Sequence, residues 1–102
     1  MPPEVGFHRL AERELSKACD WYAGHDRALR DQLLAEVDAA TERIATGPEQ
    51  WPRYDQLHRW VRVQRFPYVL YYRILDETHV LVMAVAHTSR RPDYWRRRRP
   101  ET

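Results

Sequence analysis

The sequence has little cysteine and no long apolar run, and both shortages narrow the choice of protein class. Its single cysteine, Cys19, excludes an intrachain disulfide and suits a reducing compartment. The N-terminus lacks the basic and apolar regions of a signal peptide, and the longest apolar run, Val80 to Ala86, is too short to cross a bilayer. We therefore expect a cytoplasmic protein that is not inserted in a membrane.

Lysine is the other scarce residue, because Lys17 stands alone beside sixteen arginines. Arginine is always charged and holds phosphate or carboxylate with a planar, two-pronged set of donors. The formal net charge is +2, but residues 1–42 carry −4 and residues 43–102 carry +6. The second half of the chain therefore carries the positive field. This bias suits contact with phosphate, although a genome rich in GC would also enrich arginine.

The length and the histidine spacing limit the domain organisation and the cofactors. The 102 residues are close to the usual size of one compact domain, and an apolar fraction of 43% is enough for one core. The five histidines contain no pair at i, i+4 spacing and join no cysteine cluster, so the pattern predicts neither a metal site nor a cofactor. We predict a single domain over residues 1–102, with a flexible basic tail at residues 96–102.

Hydrophobic periodicity predicts the secondary structure. A short alternating pattern over Glu4 to Leu10 indicates a strand, and helical spacing then runs from Ala11 to Tyr22 and from Leu29 to Ile44. Gly24 ends the first helix and Asp26 caps the second. Three strands follow the connector of residues 48–52, at residues 59–64, 68–75 and 79–86. The predicted fold is α+β in two layers, with the order β-α-α-β-β-β and a helical hairpin packed on a small antiparallel sheet.

Several short motifs follow one another along the chain in a definite order. They are Phe7-His8, Asp20-Trp21-Tyr22, Pro48 with Trp51-Pro52, Arg65-Phe66-Pro67-Tyr68 with Tyr71-Tyr72, and Ala84-Val85-Ala86-His87 followed by Arg90-Arg91-Pro92 and Tyr94-Trp95. None is specific alone, but together with the element order they resemble the RelE/ParE toxin superfamily of type II toxin–antitoxin systems, also called plasmid stabilisation proteins. The resemblance implies a toxin that a cognate antitoxin protein binds and silences. It leaves the target open, because RelE-like members cleave mRNA on the ribosome and ParE-like members poison DNA gyrase on the same fold.

Cleavage of RNA by attack of the 2′-hydroxyl requires a base, an acid and cations for the phosphate, and no metal. The candidate catalytic residues are Arg65, Arg73, His87 and Tyr94. The candidate nucleic-acid-binding residues are Arg62, Arg90 and Arg91. Because the three later strands should be neighbours in a meander, we expect these side chains to converge near the end of the last strand.

Each candidate also has a structural interpretation. His87 suits acid or base catalysis because an imidazole can donate or accept a proton, but a histidine at a strand end can instead hold the following turn through a backbone hydrogen bond. Arg65 and Arg73 suit phosphate only if they face the open side of the sheet, and otherwise suit carboxylates of the helices or the antitoxin. Tyr94 can donate a proton or stack on a base, or can form an apolar latch with Trp95 over the sheet.

Two departures from RelE-like nucleases bear on the target. The sheet lysines that such nucleases carry are missing, and Glu49 and Asp55 lie in the connector without a recognisable partner, so no carboxylate base is evident. The first hypothesis is a ribosome-dependent mRNA endoribonuclease in which Arg65, Arg73 and Arg90 hold phosphate and His87 is acid or base. The second is a ParE-like, non-catalytic inhibitor of DNA gyrase, which the long helical hairpin and the missing lysines favour. In both, we expect an acidic antitoxin segment to be drawn to the basic second half.

Overall fold

The computed structural model describes residues 1–100, and it confirms the predicted order of elements. The strands are β1 (Glu4–Phe7), β2 (Arg59–Arg62), β3 (Tyr68–Ile74) and β4 (His79–His87), and the helices are α1 (Arg9–Ala23) and α2 (Arg27–Thr46). Within residues 1–100, neither helix has an apolar stretch long enough to span a lipid bilayer.

Local capping explains where the helices begin and end. The Nδ1 atom of His8 accepts the Leu10 N–H at 3.0 Å, so α1 begins directly after His8 and β1 is shorter than predicted. The predicted cap of α2 is confirmed, since the Asp26 carboxylate accepts the Ala28 N–H at 2.9 Å. Both helices bury one apolar stripe against the sheet, with these buried residues: Ala11, Ala18, Leu33, Val37, Ala40 and Ile44.

The four strands form one sheet in the order β1-β4-β3-β2. The pairs β2/β3 and β3/β4 are antiparallel, as predicted, but β1 pairs with β4 in parallel, which makes the sheet mixed. Parallel neighbours need a long connection between them. Here the helical hairpin and the β2-β3 segment supply it, and the chain returns beside β1 in the same direction.

The last strand, β4, contains a bulge and extends beyond the end of its neighbour β1. Tyr71 pairs with Ala84 and Tyr72 with Val82, so Met83 is the extra residue of the bulge. The pairing with β1 ends at Val82. Residues 83–87 therefore form an edge of the sheet on that side.

Apolar side chains pack on both faces of the sheet. The main core lies between the sheet and the helices, around Leu33, Val61, Leu70 and Tyr72. A second cluster covers the outer face, with Trp95 packed among residues of β4. Because β4 is buried on both faces, its sequence reads as a nearly continuous apolar run rather than an alternating one.

Candidate functional site

Arg65, one of the predicted catalytic residues, lies on the helical side of the molecule. It occupies the turn between β2 and β3 with a left-handed backbone, at a φ of 69°. Its Nε is 3.4 Å from the Glu36 carboxylate on α2, and its side chain is 77% exposed. Of the two predicted interpretations, the structure therefore shows the pairing with a helix carboxylate.

Arg62 and Arg73 lie on the outer face of the sheet, because paired residues of neighbouring strands point to the same face and both positions alternate with those of the helix-side core. Arg62 pairs with Val69 at one end of β3, and Arg73 pairs with Leu81 at the other. His87 follows Leu81 by six residues, which places it roughly 20 Å from Arg73 at about 3.3 Å per residue. The expected convergence is therefore absent for Arg73.

His87, Arg90 and Tyr94 do come together, at the end of β4. The Arg90 guanidinium lies 3.7 Å from the centre of the Tyr94 ring. The Tyr94 hydroxyl donates to the Glu14 carboxylate at 2.5 Å. Burial raises the pKa of the Tyr94 phenol, and the hydrogen bond to Glu14 raises it further. Its proton is thus committed to Glu14. The remaining candidate, Arg91, is exposed beside this group.

The histidine at the strand end holds the turn that follows it. The Nδ1 atom of His87 accepts the Ser89 N–H at 3.0 Å and lies 2.7 Å from the Ser89 hydroxyl oxygen. The His87 ring also packs edge-to-face on the Tyr68 ring. Because Nδ1 accepts, the neutral ring carries its proton on Nε2.

Residues 88–98 form a segment that we call the C-terminal latch. At its centre, Trp95 is 2% exposed and stacks on Tyr71 with ring centres 4.4 Å apart. The latch interpretation of the Tyr94-Trp95 pair is therefore what the structure shows for Trp95. Trp95 covers part of the outer face of the sheet.

Glu14 of α1 connects the latch to the open edge of β4. Its carboxylate accepts the Val85 N–H at 3.0 Å and two N–H groups of Arg98 at 2.9 and 3.0 Å. Arg98 also donates to the Met83 carbonyl at 3.0 Å. The Glu14–Arg98 pair thus satisfies backbone groups that a neighbouring strand would otherwise bind.

The structure differs from the predicted flexible tail at two arginines. Arg96 donates to the Asp55 carboxylate at 2.9 Å, and Arg98 pairs with Glu14. Arg97 and Arg99 are exposed, as a solvated segment requires. The last part of the predicted tail, residues 101 and 102, lies outside the described residues.

An apolar groove runs between α1, the start of β3 and the end of β4, with a volume of about 580 Å³. We call it the α1 groove. Its apolar lining consists of Ala18, Trp21, Tyr22, Pro67, Tyr68 and Val85. Trp21 is 62% exposed, although it is among the largest apolar side chains. The polar lining of the groove consists of Glu14, Lys17, His87 and Arg90, so two cationic side chains stand against one carboxylate.

The connector, which in the structure extends over residues 47–58 between α2 and β2, holds an ionisable pair that the sequence interpretation missed. Asp55 has partners after all: its carboxylate accepts the Nδ1–H of His58 at 2.9 Å, two backbone N–H groups, and Arg96. Burial alone would raise the pKa of Asp55, but the hydrogen bonds from Leu57 and His58 outweigh it and the pKa is lowered. Burial lowers the pKa of His58 more than Asp55 raises it. Asp55 is therefore charged and His58 neutral at neutral pH. In the sequence, the i, i+3 spacing of Asp55 and His58 was the signal from which this pair could have been predicted.

Comparison with known proteins agrees with this geometry. The profile described as "ParE toxin of type II toxin-antitoxin system, parDE" matches residues 5–92. Among solved structures, the "Chromosomal ParDE TA system from P. aeruginosa" is similar with a TM-score of 0.73 and 12% identity, over 85% of this chain and 97% of that chain. No curated protein sequence matches significantly.

The family match, together with the helical hairpin on a four-stranded mixed sheet, identifies this protein as a toxin domain of the RelE/ParE type. More narrowly, the chain belongs to the ParE toxin family of type II toxin–antitoxin systems.

Proposed function

We propose that this toxin inhibits DNA gyrase by contact, in the cytoplasm, until its antitoxin binds. The observation that carries the proposal is the scatter of the groups that RNA cleavage would need. Arg65 pairs with Glu36, and Arg73 lies at the other end of the sheet from His87. Inhibition by contact requires a stable surface and no convergent acid, base and phosphate clamp. The match to the ParE family supports the same target.

Ribosome-dependent cleavage of mRNA is the second candidate, and one observation favours it. His87 and Arg90 line the same groove, so an acid or base and a phosphate-binding group do lie close together there. This hypothesis makes His87 essential to toxicity, whereas inhibition of gyrase by contact does not.

Expression of the chain alone separates the two targets. We expect double-strand DNA breaks with intact messages, and loss of supercoiling when the purified protein is added to purified gyrase. His87→Gln should remain toxic, as should the control His79→Gln, which changes an exposed histidine at the other end of β4. Messages cut within codons, together with unimpaired gyrase and a non-toxic His87→Gln, would overturn the proposal in favour of the nuclease.

The α1 groove is the surface that we assign to the antitoxin. Its exposed Trp21 offers an apolar anchor, and Lys17 and Arg90 at its border attract carboxylates. The segment that fits is an amphipathic helix or strand with acidic residues beside its apolar face.

Replacement of Trp21 tests this surface. Because Trp21 is exposed, Trp21→Ala should leave the fold stable and weaken binding of the cognate antitoxin about tenfold or more. The control is Leu34→Ala, which removes an exposed apolar side chain from α2. Equal affinities of the two variants, measured by calorimetry, would show that the antitoxin binds elsewhere.

A further inference from the structure

A second cavity lies at the other end of the sheet from the α1 groove, between the segment that precedes β2, the start of β2 and the end of β3. Its volume is about 370 Å³. We call it the connector pocket. Its charged and titratable lining residues are Glu49, Arg53, His58, Arg59 and Arg73. Three guanidinium groups therefore face one carboxylate, and the pocket carries a positive field.

Several guanidinium N–H groups of the connector pocket have no hydrogen-bond acceptor within residues 1–100. Within residues 1–100, the side chain of Arg73 forms no hydrogen bond or ion pair, and the side chain of Arg53 forms only a long hydrogen bond of 3.4 Å to the Gln56 carbonyl. Arg59 commits one N–H group to the Trp51 carbonyl at 2.7 Å. Planar guanidinium donors without a carboxylate partner suit a phosphate oxygen.

An independent observation points to a ligand at the same place. His58 is 2% exposed, and its Nδ1 is held by Asp55. Its other nitrogen, Nε2, is buried and has no hydrogen-bond partner within the part of the chain that the structure describes. Buried polar atoms of native proteins almost always have a partner. Because His58 belongs to the lining of the connector pocket, a ligand bound there is the partner that we infer for this nitrogen.

We propose that the connector pocket binds a phosphate group, with Arg53 and Arg73 on its oxygens and the Nε2 of His58 as a further donor. Neutral His58 carries its only ring proton on Nδ1, toward Asp55, so Nε2 must first take up a proton from solvent. The resulting imidazolium keeps Asp55 as its counterion on one side and gains the phosphate on the other. The site does not depend on the target of the toxin.

The charges around His58 give this binding a pH dependence. Burial, Arg73 and Arg96 hold the ring neutral in the free protein, against Asp55. Trp95, which packs edge-to-face on the ring, adds no charge. A phosphate in the pocket reverses the balance, so binding takes up one proton. Affinity should therefore rise up to about tenfold per pH unit as the pH falls toward the second pKa of the phosphate, at about 6, and should level off below it because the free ligand then carries the proton itself.

Nitrogen-15 spectroscopy of the imidazoles tests the proposal directly. Inorganic phosphate and a nucleoside 5′-monophosphate are titrated separately into the folded protein at constant ionic strength. We expect a saturable movement of the His58 Nε2 signal into the range of a protonated nitrogen. Tighter binding of the nucleotide would identify a nucleotide phosphate as the source, and equal binding would identify free phosphate.

The matched variants are Arg73→Gln and Arg62→Gln. Both change an outer-face arginine of the sheet, but Arg62 is absent from the pocket. Arg73→Gln should weaken phosphate binding at least tenfold and Arg62→Gln should leave it unchanged. His58→Gln should abolish the pH dependence, and Arg73→Gln keeps the test valid if His58→Gln fails to fold. No saturable movement, or equal weakening in both arginine variants, would refute the site.

Discussion

Replacing Glu14 by glutamine should detach the C-terminal latch from the sheet. The Glu14 and Arg98 side chains are only 14% and 13% exposed, so the pair is largely shielded from solvent. The variant keeps the length of the side chain but removes the charge, which leaves the Arg98 guanidinium shielded and without its counterion.

The expected loss of stability follows from that geometry. Removing one partner of a fully buried ion pair costs about 3–5 kcal/mol, because the remaining charge stays desolvated. The residual exposure lowers this figure, and glutamine can still accept the Val85 N–H through its amide oxygen. We therefore expect a loss of about 2–3 kcal/mol. For a domain of this size, 1 kcal/mol corresponds to roughly 4–8 °C in Tm, so the shift should exceed about 8 °C.

Urea unfolding followed by circular dichroism measures this change. The matched control is Glu12→Gln, which removes an exposed carboxylate from the same helix and should change the stability by less than about 0.5 kcal/mol. A double-mutant cycle with Arg98→Gln should give a coupling of about 1 kcal/mol or more. If Glu14→Gln behaves like Glu12→Gln, or the cycle shows no coupling, the pair does not hold the latch.

Three further changes test the rest of the structure. Trp95→Ala should cost about 3–5 kcal/mol in urea unfolding, because it empties the centre of the outer-face cluster. Tyr72→Phe should cost about 1 kcal/mol through loss of the 2.5 Å bond to the Pro48 carbonyl. Burial raises the pKa of Tyr72 to about 12. Its contribution to the stability of the fold is therefore complete below about pH 10 and is lost as the pH rises toward 12. Thermal melts of Tyr72→Phe should lack this part of the alkaline loss of stability. Bonds from Thr78 lower the pKa of Asp76 to about 2, so Asp76→Asn should flatten the fall of Tm between about pH 4 and 2.

The sequence was sufficient for the features that depend on near neighbours. Helical and alternating spacing located all six elements, and Asp26 could be assigned as a cap because its carboxylate reaches only two residues along the chain. His8 was missed as a cap because histidine is an unusual residue there, although its ring nitrogen makes the same contact. The direction of β1 was not predictable either, since a short strand carries no sign of which neighbour it will join.

The candidate site was predicted less well because its contacts join distant parts of the chain. Glu14 meets Tyr94 and Arg98 across 80 and 84 residues, and nothing in the local pattern of α1 marks Glu14 as different from Glu12. Arg65 was suited to phosphate only if it faced the open side of the sheet, and local spacing could not decide which side it faces. A left-handed turn residue instead sends its side chain to Glu36. Asp55 and His58 were within reach of sequence reasoning, but only their burial reveals that one imidazole nitrogen is left over.

The Glu14–Arg98 pair also has a consequence for self-association. Beyond β1, the edge of β4 belongs to the most apolar strand of the protein, which is the kind of edge that recruits a strand from another copy and starts a fibril. The Glu14 carboxylate accepts the Val85 N–H, and Arg98 donates to the Met83 carbonyl. A strand from another copy would have to displace both charged side chains. The ion pair that fastens the latch thus also keeps the toxin from growing into an intermolecular sheet.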